Sequence, residues 1–152
     1  MPQIEFTLPR STLSGDTIDS LMGEMTTTLL RYEGAPDNEA SREISWGFVH
    51  EVDRVYNGGA PLNGGAPRYR VDLTVPQGAL TPEKKNEIVG EITQMILDAD
   101  GSAGDSAAAM RVWVLVHDVP DGNWGGAGRT WTLREIAGLV GAGDARTAVA
   151  SG

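Results

Sequence analysis

Apolar and polar residues alternate from Gln3 to Leu8, with Ile4, Phe6 and Leu8 on one side and Gln3, Glu5 and Thr7 on the other. The same period of two returns at 70–75, where Val71, Leu73 and Val75 alternate with Arg70, Asp72 and Thr74. Each run predicts a strand with one buried face, and Pro9 and Pro76 end them. Beyond each strand the spacing becomes helical. Leu21, Met22, Met25, Leu29 and Tyr32 form one apolar stripe, and Ile88, Val89, Ile92, Ile96 and Ala99 form another. Ser14 and Thr81 stand where N-caps belong, and Pro82 occupies the first helical position, where its missing N–H costs nothing. Gly34 and Gly101 supply the left-handed residue that stops a helix. Second strands are predicted over 44–52 and 112–119.

The two patterns are one pattern repeated. Shifting the chain by 67 positions aligns Ile4–Val52 with Val71–Val119 without a gap, pairing Pro9 with Pro76, Gly23 with Gly90, Gly34 with Gly101, Trp46 with Trp113 and His50 with His117. The chain reads as a fused duplication of a β-α-β unit. Right-handed crossovers within each unit then give an α/β fold, one four-stranded sheet with both helices on one face. The predicted organisation is a single domain over 1–141: unit one 2–57, a linker 58–68, unit two 69–129 and a C-terminal helix 132–140, followed by a flexible tail 142–152. Asn-Gly-Gly-Ala-Pro occurs at 57–61 and again at 63–67; it runs into a strand, not a helix, so it reads as turn and linker and not as a phosphate cradle. Residues 121–129 read as a Gly-rich hairpin, and Thr132 to Glu135 is a capping box opening a helix that packs through Leu133, Ile136, Leu139 and Val140. The sheet face without helices, where Trp46 and Trp113 must go, predicts oligomerisation.

Composition narrows the chemistry. The 152 residues carry 12 Lys plus Arg against 21 Asp plus Glu, a formal charge of −9, with no basic run. This argues against nucleic acid and anionic membrane as partners. No apolar run approaches the ~18 residues of a membrane span, and the start of the chain lacks the pattern of a secretory signal, so the expected location is cytoplasmic. Without cysteine there are no disulfides, thiolate metal sites or thiol nucleophiles. His50 and His117 occur in both units and read as scaffold or interface residues. Catalysis then falls to carboxylates, arginines, the two histidines or the chain terminus, and the expected chemistry requires no metal or organic cofactor.

Pro2 is a small residue that favours removal of the initiator methionine. A terminal proline is a secondary amine, and an α-amino group titrates at about 7.7–8.0, close to neutrality. Burial lowers that value further and makes the amine a general base. Pro2 heading the first strand, the duplicated strand-helix-strand, and Asn123-Trp124-Gly125-Gly126-Ala127-Gly128 after the last strand together resemble the tautomerase superfamily, the 4-oxalocrotonate tautomerase and macrophage migration inhibitory factor group. The likeness covers about residues 2–129 and is to the fused, two-unit form related to cis-3-chloroacrylic acid dehalogenase and malonate semialdehyde decarboxylase. It implies a homotrimer with Pro2 as proton carrier, Trp124 as the pocket's aromatic, and cations holding the carboxylate of a small 2-oxo or enol acid. Since Tyr69 stands opposite Pro2, it implies one catalytic site per chain.

The superfamily's usual arginine positions after the second unit's first strand read Pro76 to Leu80 here. Arg129, or Arg70 at a strand end, is the alternative cation, with Asn123 beside Trp124. Gly34-Ala-Pro36-Asp37-Asn38-Glu39 resembles the decarboxylase segment whose last acidic residue, here Glu39, aids water activation. The expected activity is keto–enol tautomerisation. The alternatives are dehalogenation, hydration or decarboxylation of a three-carbon acid with Pro2 as acid, and a non-catalytic member of the fold.

Overall fold

The computed structural model describes residues 1–141; the tail expected at 142–152 lies outside the described residues. Four strands form the main sheet: β1 (Gln3–Pro9), β2 (Trp46–Val52), β5 (Tyr69–Pro76) and β6 (Val112–Val119). Their order is β2-β1-β5-β6. β1 runs parallel to β2 and β5 parallel to β6, while β1 and β5 meet antiparallel at the centre, with Phe6 opposite Val71. The units are therefore related by a local two-fold between β1 and β5. The helices α1 (Gly15–Glu33) and α3 (Pro82–Asp100) cross from the first to the second strand of their units. The predicted α/β architecture is the one observed.

Local chemistry sets the helix limits. Ser14 and Thr81 accept from the backbone N–H groups of Thr17 and Lys84, and Gly34 and Gly101 close the helices at φ 68° and 81°. The apolar stripes of α1 and α3 bury Leu21, Met25, Leu29, Ile88, Ile92 and Ile96 against Ile4, Phe6, Leu8, Val71, Leu73 and Val75. Those strand residues are 0–1% exposed, so the core is one layer between helices and sheet.

Two short helical elements were not expected, nor were the paired two-residue strands within 56–61, a segment read as turn and linker. A helix, α2 (Glu39–Glu43), capped by Asn38, precedes β2, and a 3-10 turn (Ser106–Arg111), capped by Asp105, precedes β6. β2 accordingly starts at Trp46 and not at Ile44. Each unit's second strand is followed by a two-stranded hairpin: β3 (Tyr56–Asn57) with β4 (Ala60–Pro61), and β7 (Trp124–Gly126) with β8 (Arg129–Trp131). The first turns through Gly58 and Gly59 and the second through Ala127 and Gly128, all at positive φ as tight hairpins require. A last helix, α4 (Leu133–Leu139), begins with the predicted capping box between Thr132 and Glu135. Its Ile136 is buried, but Leu139 is half exposed.

The helix-free face alternates with the core. Trp46 and Trp113 are 64% and 65% exposed there and Phe48 and Leu115 are also exposed, so neither tryptophan belongs to the core of the single chain. Between these apolar edges lie two equivalent pairs, His50 with Glu5 at 3.0 Å and His117 with Asp72 at 2.8 Å. Each links neighbouring strands across the outer face. No described helix is long and apolar enough to cross a membrane.

Candidate active site

Pro2 lies just ahead of β1. Its carbonyl accepts from the Trp46 N–H at 3.1 Å, which extends the β1–β2 ladder by one rung, and its ring is buried. Proline suits the position because the ladder asks it only to accept. Two cavities open beside it. The larger, of about 620 Å³, runs between the end of α1, the turn after β5 and α4; Pro2, Glu33, Ser41, Gln77, Arg134 and Val140 are on its walls. The smaller, of about 330 Å³, has Pro2 and Trp46 on one side and Trp124, Gly126 and Trp131 of the second hairpin on the other. Met1 borders both.

Distant segments close the larger cavity. Asn38 caps α2 with its Oδ1 and donates from Nδ2 to the Val140 carbonyl at 3.0 Å, tying the start of α2 to the end of α4. Asp121 accepts from the Leu133 N–H at 2.7 Å and fixes the other end of α4. Inside, Glu33 Oε1 and Ser41 Oγ are enclosed and have no hydrogen-bond partner. Unmatched buried polar atoms are costly, and a ligand or water in the cavity would satisfy both.

Burial pushes the Glu33 carboxyl up to about 7, a rise only partly opposed by the N-terminal amine. That amine, which in this structure is Met1's, is itself lowered by burial, with Glu33 pulling the other way. An acid and an amine whose ordinary proton affinities lie far apart are thus brought close together, which is what acid–base chemistry near neutrality needs. Arg134 reaches the same cavity and has no carboxylate partner among the described residues. It is the cation available to a bound anion.

Of the residues singled out in the sequence, the chain brings Pro2 and Trp124 to one cavity and leaves the others elsewhere. Arg129 stacks on Trp131, its guanidinium 3.6 Å from the ring centre, and pairs with Glu135 at 3.2 Å. Asn123 is exposed at the start of the hairpin and borders neither cavity. Arg70 lies opposite Thr7, at the other end of β1 from Pro2, and is held by Asp72 at 2.8 Å. Glu39 is an exposed first-turn residue of α2 and is not on the cavity wall; Ser41 and Ile44, from the same segment, are. Glu33, Ser41 and Arg134 were missed. The capping box placed Arg134 in the first turn of α4, but its direction depends on how α4 docks.

The four-stranded sheet of paired β-α-β units is the fold of solved fused 4-OT and macrophage migration inhibitory factor-like proteins. Residues 70–134, the second unit, match the family model described as Tautomerase, tautomerase enzyme. None of the curated proteins matches in sequence. Similar solved structures include a wild-type fused 4-OT, an asymmetric trimer, at 18% identity and TM-score 0.66, covering 84% of this chain and 94% of that one. Another is Pt0534 inactivated by 2-oxo-3-pentynoate, at 18% identity and TM-score 0.67, covering 86% and 94%. A third is N1, a member of the cis-3-chloroacrylic acid dehalogenase family, at 16% identity and TM-score 0.66, covering 85% and 82%. At these identities the likeness establishes the fold.

Proposed function

We propose that the chain, once Met1 is removed, is a cytoplasmic, cofactor-independent keto–enol tautomerase of a small 2-oxo or enol acid, with the Pro2 amine as general base. The observation that carries this reading is the burial of Pro2 at the junction of two cavities, beside a carboxyl raised to about 7 and an arginine with no carboxylate partner among the described residues. Arg134 takes the substrate carboxylate through its planar fork. The Pro2 nitrogen removes the proton α to the carbonyl, and the developing enolate oxygen is met by the protonated Glu33 carboxyl and the Ser41 hydroxyl. The prolinium then returns its proton to the neighbouring carbon or to oxygen. Trp124 walls the smaller cavity on the other side of Pro2.

Trimerisation is part of the proposal. The exposed edges carrying Trp46, Phe48, Trp113 and Leu115 need cover, and a fused 4-OT of the same fold is an asymmetric trimer.

A second reading rests on Glu33. An enclosed carboxylate next to a charged prolinium can accept a proton from water, the requirement for hydrating, dehalogenating or decarboxylating a three-carbon acid.

The test is an intact mass followed by assays on phenylenolpyruvate and 2-hydroxymuconate. Loss of the methionine is expected, together with a fall of about 10²- to 10⁴-fold in kcat/KM for Pro2→Ala. A retained methionine, or a variant as active as the parent, overturns proline catalysis and leaves a non-catalytic member of the fold. Release of chloride from 3-chloroacrylate, or of carbon dioxide from malonate semialdehyde, selects the second reading.

A further inference from the structure

The local two-fold that relates the units also relates two cavities. At the opposite end of the sheet from Pro2 is a cavity of about 440 Å³, and on its wall are Arg68, Tyr69, Arg70, Arg111 and Trp113. These lie 67 residues after Met1, Pro2, Gln3, Ile44 and Trp46, which border the smaller Pro2 cavity. The second cavity is therefore the counterpart of the first, with its chemistry exchanged. Proline has become Tyr69, which is buried and donates its hydroxyl to Asp100 at 3.2 Å. Three uncharged positions have become arginine. Arg54, just beyond β2, adds a fourth.

Four of the ten arginines of a chain with formal charge −9 thus meet at one small cavity. Two are neutralised in place: Arg70 by Asp72 at 2.8 Å, and Arg111 by Asp100 at 3.1 Å. The other two have no carboxylate among the described residues. Arg68 donates to the Ala66 carbonyl at 3.0 Å, and Arg54 touches the Tyr56 hydroxyl at 3.5 Å. Two uncompensated guanidinium forks call for two negative charges and favour planar carboxylate or phosphate groups. Beside them Tyr56 is more than half exposed and offers a flat apolar surface.

We propose that this cavity is a second, non-catalytic site that binds a small organic dianion, a dicarboxylate or a phosphate monoester, with a flat apolar body. The anionic groups sit on Arg54 and Arg68, and the body lies along Tyr56. The inference is independent of proline catalysis, since the cavity contains neither Pro2 nor a free amine.

Calorimetric titration of the full chain tests it, with phthalate, phenyl phosphate and, as the monoanion control, benzoate. Saturable binding of phthalate or phenyl phosphate at one equivalent per chain is expected, tighter than benzoate by at least tenfold and weakened as salt is raised. Whichever of the two dianions binds more tightly identifies the anionic group. Arg54→Gln, at an exposed residue, and Arg68→Gln, at a half-buried one, should each weaken it about tenfold or more, while Pro2→Ala and Arg134→Gln leave it unchanged. Absence of saturable binding, equal affinity for benzoate, or loss in Arg134→Gln with retention in the Arg54 and Arg68 variants would overturn the proposal.

Discussion

Glu33 ends α1 one residue before the stopping glycine, where the helical pattern alone reads as solvated surface. Its carboxyl is instead enclosed, and the raised value of about 7 makes the native state hold a proton that an unfolded glutamate, near 4.5, gives up. Between those two values the folded chain binds more protons than the unfolded one, so stability is highest below about 4.5 and falls as pH rises through 7. Glu33→Gln should remove that dependence and stabilise the protein at pH 8 by about 1–3 kcal/mol, since each tenfold change in proton affinity is worth about 1.4 kcal/mol. Urea unfolding at pH 5 and pH 8 checks this; the same pH slope in parent and variant would show that Glu33 titrates normally. Under the proposed proline mechanism the variant should also change the neutral-range pH dependence of kcat/KM, since the amide has no proton to share with the Pro2 amine.

At the level of elements, the strands, both long helices and the start of α4 were legible because each carries its own signal: a period, a cap and a stop. The duplication reinforced them, since Ser14 and Thr81, or Gly34 and Gly101, vouch for each other. The elements that escaped, α2 and the 3-10 turn, are five and six residues long and are set by Asn38 and Asp105 caps that also fit ordinary turns. The site was half legible for a related reason. Pro2 and Trp124 follow from strand and hairpin positions, whereas Glu33, Ser41 and Arg134 converge only when α4 docks on the end of α1. Arg70 and Arg129 could have been discounted, because Asp72 shares Arg70's strand face and Glu135 lies six residues beyond Arg129 in the same hairpin-to-helix segment. α4 thus serves as a wall as well as a packing element, and Thr132→Ala tests that role. Losing its cap should cost about 1 kcal/mol in thermal or urea unfolding. It should also raise KM with little change in kcat, as should Arg134→Gln, by about tenfold; an unchanged KM in both would separate α4 from the substrate.

On the scale of the whole molecule, the proposed trimer rests on the helix-free face. Tryptophans at corresponding places on both edge strands form an apolar frame around the His50–Glu5 and His117–Asp72 pairs. Trp46→Glu combined with Trp113→Glu should yield monomers by light scattering, whereas the parent should run at three times the chain mass. A parent that is already monomeric would refute the trimer. Neither substitution touches the helix-side core, so the far-ultraviolet circular dichroism should persist.

The two-fold between β1 and β5 makes the ends of the sheet interchangeable in shape, yet a polypeptide has only one beginning. Tyr69→Pro would place an ordinary tertiary amide, without basicity, at the arginine-rich end. Only circular permutation, joining the old termini and opening the chain ahead of position 69 behind a removable methionine, would carry a free secondary amine across the molecule. Fusion of the two units thus fixed, through chain connectivity and not through folding, which end of the sheet can host a proline base and which is free to take up another role.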